Sequence, residues 1–284
     1  MKNEIFKIVL PVGSATTNLT INEGESIALV GENRSGKSEL LRSIYERRRG
    51  ITYRGISARL TPTEEELYDS EIAYFDGTLF GDPKSTCDEV VTRAAICLEE
   101  LPENIKLYFG ISEFEEEKRL KEIDYYLSLK LALLQVLSQR KKILLLDDLF
   151  GLDVELKKNV TPFLKDVKDR YKLTYVIATT DIAFANTLSE WMLIMEDRQV
   201  VEYGRTKNLI NSPKHPYSQW LIDSAITKKD YNLQFVRTTK DLKPRKRACR
   251  FVNICPLKTE KCNNQAPIFT KYSETDWTAC HLVK

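Results

Sequence analysis

No stretch of the chain approaches the ~18 to 20 uninterrupted apolar residues that a helix needs to cross a bilayer. The N-terminus, Met-Lys-Asn-Glu-Ile-Phe-Lys-Ile-Val-Leu-Pro-Val-Gly, has no long apolar core of the kind that directs secretion. A spanning helix and a secretory leader are therefore not expected, the chain reads as cytoplasmic, and any membrane role must come through a partner. Charge of one sign is also scarce: 43 Lys and Arg against 41 Asp and Glu leave a formal net charge of +2. That balance argues against wholesale binding of nucleic acid. One local basic run exists, at Lys243, Arg245, Lys246, Arg247 and Arg250, but it lacks interleaved aromatics and reads as a solvated tail. Cysteine is sparse over most of the chain. Cys87 and Cys97 lie in helical context and read as small buried hydrophobes, while the other four of the six fall within the last 36 residues. What remains is ordinary: 284 residues with 42% hydrophobic content suit one large α/β domain plus an appendage.

The chain is organised around Gly31 to Ser38, Gly-Glu-Asn-Arg-Ser-Gly-Lys-Ser, which follows the apolar run Ile27-Ala28-Leu29-Val30 and precedes the helical spacing of Glu39-Leu40-Leu41-Arg42-Ser43-Ile44. A strand, a glycine loop and a helix start in that order make a phosphate cradle. Gly31 and Gly36 let the backbone wrap a polyphosphate, the amides around Asn33, Ser35 and Lys37 point inward, and the helix presents its positive dipole end. Lys37 would reach the β and γ phosphates, and the Ser38 hydroxyl would hold Mg²⁺. ATP with Mg²⁺ is the expected ligand.

Ile5 to Leu10 and Leu19 to Ile27 alternate as strands, Asn22-Glu23-Gly24-Glu25 is a turn signal, and Gly50 to Gly55 reads as a short strand ending in a turn. These are expected to be antiparallel beside the loop. Ile72 to Phe75 is a further strand, closed by Asp76-Gly77, and from Cys87 to roughly Gln139 the pattern is helical, interrupted at Pro102 and Gly110 and carrying a charged face from Glu113 to Lys118. Lys142 to Asp148 reads as a buried parallel strand whose carboxylates emerge at the carboxyl edge, where ligands bind. Asp147 there would meet Mg²⁺ through water, the alternative being a helix cap. Leu173 to Ala178 is another strand, ending at Thr179-Thr180-Asp181, and Trp191 to Glu196 with Gln199 to Tyr203 forms a terminal hairpin. Alternating strands and helices imply a mainly parallel core sheet.

With both phosphate motifs placed, the order of segments resembles the ATP-binding subunit of an ABC transporter over residues 1 to about 226. The run Val200-Val201-Glu202-Tyr203-Gly204, then Asn211-Ser212-Pro213-Lys214-His215-Pro216-Tyr217-Ser218, then Leu221 and Ala225, is similar to the oligopeptide, dipeptide and nickel importer subfamily. The resemblance implies an α/β P-loop nucleotide-binding domain at 1–205, with a mainly parallel core, an antiparallel β subdomain and a helical insertion at about 87–139, followed by an importer-type extension at 206–284. It implies as partners a second ATP-binding subunit and two membrane permease subunits, with an extracytoplasmic substrate-binding protein reached indirectly. The expected place is the cytoplasmic face of the membrane, without nucleic acid. Apart from the resemblance, His215 reads as a surface loop histidine.

In that family each nucleotide is sandwiched between the phosphate loop of one chain and a Leu-Ser-Gly-Gly-Gln signature of the other. Here the sequence departs. Counted back from Asp147 without gaps, the signature position holds Ile123-Asp124-Tyr125-Tyr126-Leu127, and a shifted register through Leu127-Ser128 still puts Leu129 and Lys130 where glycines belong. Thr180 stands at the switch-histidine position, Asp76 at the glutamine position, and Asp148 at the position of the glutamate that polarises the attacking water. Threonine brings no imidazole, and a carboxylate withdrawn by about 1 Å costs on the order of 10²-fold in rate. Slow or absent hydrolysis at the Lys37 site is expected, with a non-catalytic regulatory ATP-binding module as the alternative to a transporter subunit.

Cys249, then five residues, Cys255, six residues, Cys262, seventeen residues and Cys280 offer four thiolates, which suit tetrahedral zinc or an iron–sulfur cluster. Spacing does not choose between them. The resemblance to the cysteine motif of peptide-importer ATPases implies a four-iron four-sulfur (4Fe-4S) cluster. A polar tail of this size is expected to lack a core without a bound group.

Overall fold

A computed structural model describes residues 4–12, 15–46, 57–60, 72–77, 84–147, 154–227 and 248–283. The N-terminal strands β1 (Glu4–Val12) and β2 (Ala15–Asn22) pair antiparallel, and β4 (Ser57–Leu60) joins the other edge of β1 in a three-stranded sheet. The expected Gly50 strand lies outside the described residues. The stretch Leu19 to Ile27 is two strands rather than one. Glu25 N–H donates to Asn22 O at 2.9 Å, closing a turn through Gly24, and β3 (Ile27–Val30) starts beyond it.

The second sheet has eight strands in the order β10-β11-β9-β8-β3-β7-β6-β5. Its parallel half comprises β3, β5 (Ile72–Phe75), β6 (Ile143–Asp147), β7 (Thr174–Thr179) and β8 (Trp191–Glu196). β3, β6, β7 and β8 are buried along their whole length, as continuous apolar runs covered on both faces should be. β9 (Gln199–Arg205) returns antiparallel against β8, and the short β10 (Thr270–Lys271) and β11 (Trp277–Thr278) add to its edge.

Period-two alternation divides the core. Ile27 and Leu29 face Leu19, Ile21 and helix α1 (Lys37–Tyr45), whereas Ala28 and Val30 face Ile182, Tyr217 and Phe251. The 87–139 region is helical as expected: α2 (Cys87–Leu98), α3 (Pro102–Phe109), α4 (Glu113–Glu116), a 3₁₀ turn (Leu120–Glu122) and α5 (Tyr125–Ser138). A Thr86–Glu89 capping box starts α2, and Gly110 in the left-handed region ends α3. These helices share a core with Leu144, Leu146, Tyr175 and Ile177 of the sheet and with α6 (Val154–Tyr171). Cys87 is buried in it, and Cys97 is half-buried. Among the described residues no helix is long and apolar enough to cross a membrane.

The remaining helices are α7 (Ile182–Leu188), α8 (Thr206–Asn211), α9 (Pro216–Thr227) and α10 (Glu260–Asn264). The cysteine-bearing tail does have buried apolar groups, contrary to the expectation from its composition. Ala248, Phe251 and Val252 pack under α9, and Phe269 stacks on Tyr203 at 5.5 Å. Docking on an existing sheet supplies a core that so short a segment cannot build alone.

Candidate nucleotide site

The chain leaves the buried β3 at Gly31, where a Cβ would sit 2.3 Å from the Met195 carbonyl oxygen and 2.7 Å from Ser35 Oγ. Only glycine fits so close to β8. The loop curls through Arg34 at φ 68 and Gly36 at φ 100, with Ser35 N–H donating to Glu32 O at 3.1 Å. Asn33 is exposed, Ser35 is buried, and α1 begins at Lys37. Lys37 is only 4% exposed, and its Nζ donates to the carbonyls of Gly31 and Glu32, each at 2.9 Å. The ammonium thus lies inside the curl, at the positive end of α1, where an anion would be held.

Ser38 Oγ donates to Asp147 Oδ1 at 2.7 Å, bringing the first turn of α1 against the end of β6. Two hard oxygens beside the lysine suit Mg²⁺ and polyphosphate. The other carboxylate oxygen, Asp147 Oδ2, accepts the hydroxyl of Tyr74 at 2.5 Å. Tyr74 lies on β5 in register with Leu145 of β6, and its ring stacks on Tyr45 at 5.2 Å. Burial, then the Asp147 carboxylate, pushes the Tyr74 phenol well above its usual range, so it remains a neutral donor. Sequence reasoning missed Tyr74. Its adjacency to the Asp147 strand is a register fact that one strand's pattern does not reveal.

Gly31, Asp76, Asp147 and Thr180 follow or end β3, β5, β6 and β7, four parallel strands, so all emerge at one edge of the sheet. Asp76 is exposed and Thr180 half-buried, one residue before Asp181, which caps α7 by accepting from Phe184 N–H at 3.0 Å. Asp148 lies outside the described residues.

Helix α5 starts where the gapless count puts the signature. Asp124 is its cap, accepting from Leu127 N–H at 2.8 Å. The Tyr125 ring lies over Gly77, where a Cβ would come within 2.7 Å of it, and tilts against Phe75 with centroids 5.8 Å apart. Ser128 is buried and donates to the Tyr125 carbonyl at 2.7 Å, and buried Lys130 donates to Gly110 O at 2.7 Å. The helix start therefore carries a carboxylate and aromatic rings.

A second polar centre joins the extension to the domain. Glu202 on β9 is fully buried; its carboxylate accepts Lys214 N–H at 2.7 Å, His215 N–H at 3.0 Å and the Tyr272 hydroxyl at 2.8 Å. His215 is 2% exposed, so it is not a surface histidine. Its Nδ1 accepts Tyr217 N–H at 3.1 Å, and burial lowers its pKa to about 3. Buried Asp276 anchors the tail likewise, accepting Arg205 N–H at 2.9 Å and Asn208 Nδ2 at 2.8 Å.

Cys249, Cys255, Cys262 and Cys280 are all free thiols. Burial pushes the Cys249 thiol up to about 11. The donor chemistry fits a soft metal or cluster. As folded, however, no set of three or more His, Cys, Asp or Glu that could hold a metal ion occurs among the described residues. Arg250 of the basic run meets Asp197 at 3.6 Å; the rest of that run is outside the described residues.

Comparison with known proteins agrees with this geometry. The ABC transporter family profile matches residues 15–151, and that of the oligopeptide/dipeptide transporter C-terminal region matches 201–262. The oligopeptide transport ATP-binding protein OppD of Haemophilus influenzae is 23% identical, over 99% of this chain and 96% of its own. The metal-staphylopine import system ATP-binding protein CntD of Staphylococcus aureus is 24% identical, over 77% of this chain and 88% of its own. The structure of cbiO1 from Clostridium perfringens, part of an ABC transporter complex, superposes with a TM-score of 0.57 at 19% identity, covering 80% of this chain and 97% of that one. The two profiles thus assign residues 15–151 to the ABC transporter family and residues 201–262 to the C-terminal region of its oligopeptide/dipeptide members.

Proposed function

We propose that this chain is an ATP-binding subunit of an importer for peptides or nickel-type ligands, seated on the cytoplasmic face of the membrane. It works beside a second ATP-binding subunit on two permease subunits, which an extracytoplasmic binding protein supplies. The observation that carries the reading is the Ser38–Asp147 contact at 2.7 Å, next to a loop already curled around the Lys37 ammonium. The amides from Asn33 to Lys37 bind the phosphates, Lys37 neutralises them, and Ser38 with Asp147 holds Mg²⁺, which screens phosphate charge when bound.

Hydrolysis at this site is slow or absent. Asp148 stands where a longer carboxylate would polarise water, and Thr180 offers no imidazole. Loss of a general base typically costs ~10² to 10⁴-fold in rate. The opposite composite site is weakened as well. A γ-phosphate approaching the start of α5 meets Asp124, whose charge repels it, and the Tyr125 ring. Those two residues favour a second reading, a regulatory ATP-binding module that no longer drives transport. Co-purification with a permease from solubilised membranes supports the first reading; absence of any membrane partner supports the second.

Phosphate release by the assembled complex, wild type against Lys37→Ala, tests the silent site. Equal turnover is expected, and a large loss traceable to the Lys37 site would refute it. Cys249, Cys255, Cys262 and Cys280 would hold a 4Fe-4S cluster. The support is the spacing of the four free thiols, which resembles the cysteine motif of peptide-importer ATPases. Brown colour and iron in anaerobically purified protein are expected; zinc alone would overturn the cluster.

A further inference from the structure

Two contacts run from the cysteine-bearing tail to the phosphate loop, and neither belongs to the phosphate-binding set. The first passes through Tyr217, the tyrosine of Pro213-Lys214-His215-Pro216-Tyr217, whose side chain is fully buried. Its hydroxyl oxygen accepts the backbone N–H of Glu32, the second residue of the loop, at 3.1 Å. Its ring meets Phe251 edge-on at 5.4 Å, and Phe251, 1% exposed, lies between Cys249 and Cys255. The second passes through the β8–β9 turn. Arg250 pairs with Asp197 at 3.6 Å, and the neighbouring Arg198 N–H donates to Ser35 O at 2.8 Å. Arg198 also reaches Glu39 in the first turn of α1, at 2.8 Å.

Both ends of the loop are therefore tied to neighbours of one short segment, Cys249 to Phe251. The tie at Glu32 is specific in geometry. Tyr217 N–H is fixed on His215 Nδ1, and His215 N–H on Glu202, so the ring is held from its backbone side while Phe251 packs against it in a T-shaped contact. A hydroxyl so placed fixes the direction of the Glu32 peptide. That peptide joins Gly31 to Glu32 and carries the Gly31 carbonyl, one of the two that receive Lys37.

We propose that Tyr217 is a positioning residue for the phosphate loop, and that the C-terminal extension, through Phe251 and Arg250, sets the loop's readiness for nucleotide. The proposal rests on the nucleotide-binding reading above. It gives the extension a role in the ATP site: displacement of the 249–251 segment transmits to Glu32 and Ser35. The extension is thus a lever on nucleotide affinity.

The test uses the full chain, Tyr217→Phe and Phe251→Leu, titrated with MgATP by calorimetry, together with hydrogen exchange read on peptides from the loop and from β7. Removal of one hydroxyl at fixed ring size should weaken MgATP about 3- to 10-fold, the range of one lost hydrogen bond. Exchange across 31–36 should rise while β7 stays protected. Phe251→Leu, which leaves the hydroxyl in place but loosens its backing, should shift both readouts in the same direction by less. Unchanged affinity and unchanged loop exchange in Tyr217→Phe would overturn the proposal. A uniform rise of exchange over the whole chain would overturn it too, since the tyrosine would then be only a core side chain. Failure of the wild type itself to bind MgATP would instead bring down the parent reading, and this proposal with it.

Discussion

Replacement of His215 by glutamine should flatten the acid side of the stability curve. His215 is buried, its Nδ1 must stay unprotonated to accept Tyr217 N–H, and its pKa falls from 6.5 to about 3. An unfolded chain takes up a proton as pH drops through 6.5, whereas the folded chain refuses it until about 3. Stability from this group is therefore complete above the unfolded value and is lost as pH falls, by up to ~1.4 kcal/mol per pH unit. At about pH 5 the loss reaches roughly 2 kcal/mol. Glu202 acts in the opposite sense. Burial raises its carboxyl pKa, so the folded state keeps that proton to higher pH than the unfolded one and loses stability as pH rises through the raised value. The wild-type curve alone mixes the two, and the difference between wild type and His215→Gln isolates the imidazole. Urea unfolding near pH 7 and pH 5 should show the wild type losing roughly 2 kcal/mol more than the variant. Equal losses would mean that His215 is solvated or protonated in the fold, and would refute the buried-histidine account.

Asp124→Ala should remove the α5 cap and cost about 1 kcal/mol, a fall in Tm of about 2 to 4 °C for a chain of this size; an unchanged melting curve would show that the Leu127 amide is satisfied otherwise. Asp147→Asn should raise the Kd for MgATP by about 10- to 150-fold, the worth of a hydrogen bond to a charged group, and leave metal-free ATP binding nearly untouched. Calorimetry with and without EDTA separates the two, and equal weakening in both arms would place Asp147 outside metal binding.

Much of the local structure of the candidate nucleotide site was legible because its signals are local. Gly31 to Ser38 carries its own loop chemistry, and the strands ending at Val30 and Asp147 are continuous apolar runs that only a doubly covered strand tolerates. Leu19 to Ile27 misled because its alternation continues across a turn closed by Gly24. What stayed hidden was long-range. Tyr74 reaches Asp147 across 73 positions and Tyr272 reaches Glu202 across 70, so no window of sequence contains either pair. His215 looked like a loop residue because its loop is polar; the buried Glu202 carboxylate that draws the loop inward comes from β9. The tail looked coreless because its few apolar groups, Phe251 and Phe269 above all, count only against the sheet on which they dock.

Titration of the full chain, with its companion subunits supplied, by ATP and Mg²⁺ in a calorimeter tests the central claim most directly. Saturable binding that is lost in Lys37→Ala is the expected result. No heat in the wild type, or undiminished binding without the lysine ammonium, would contradict a phosphate site built from Gly31 to Ser38.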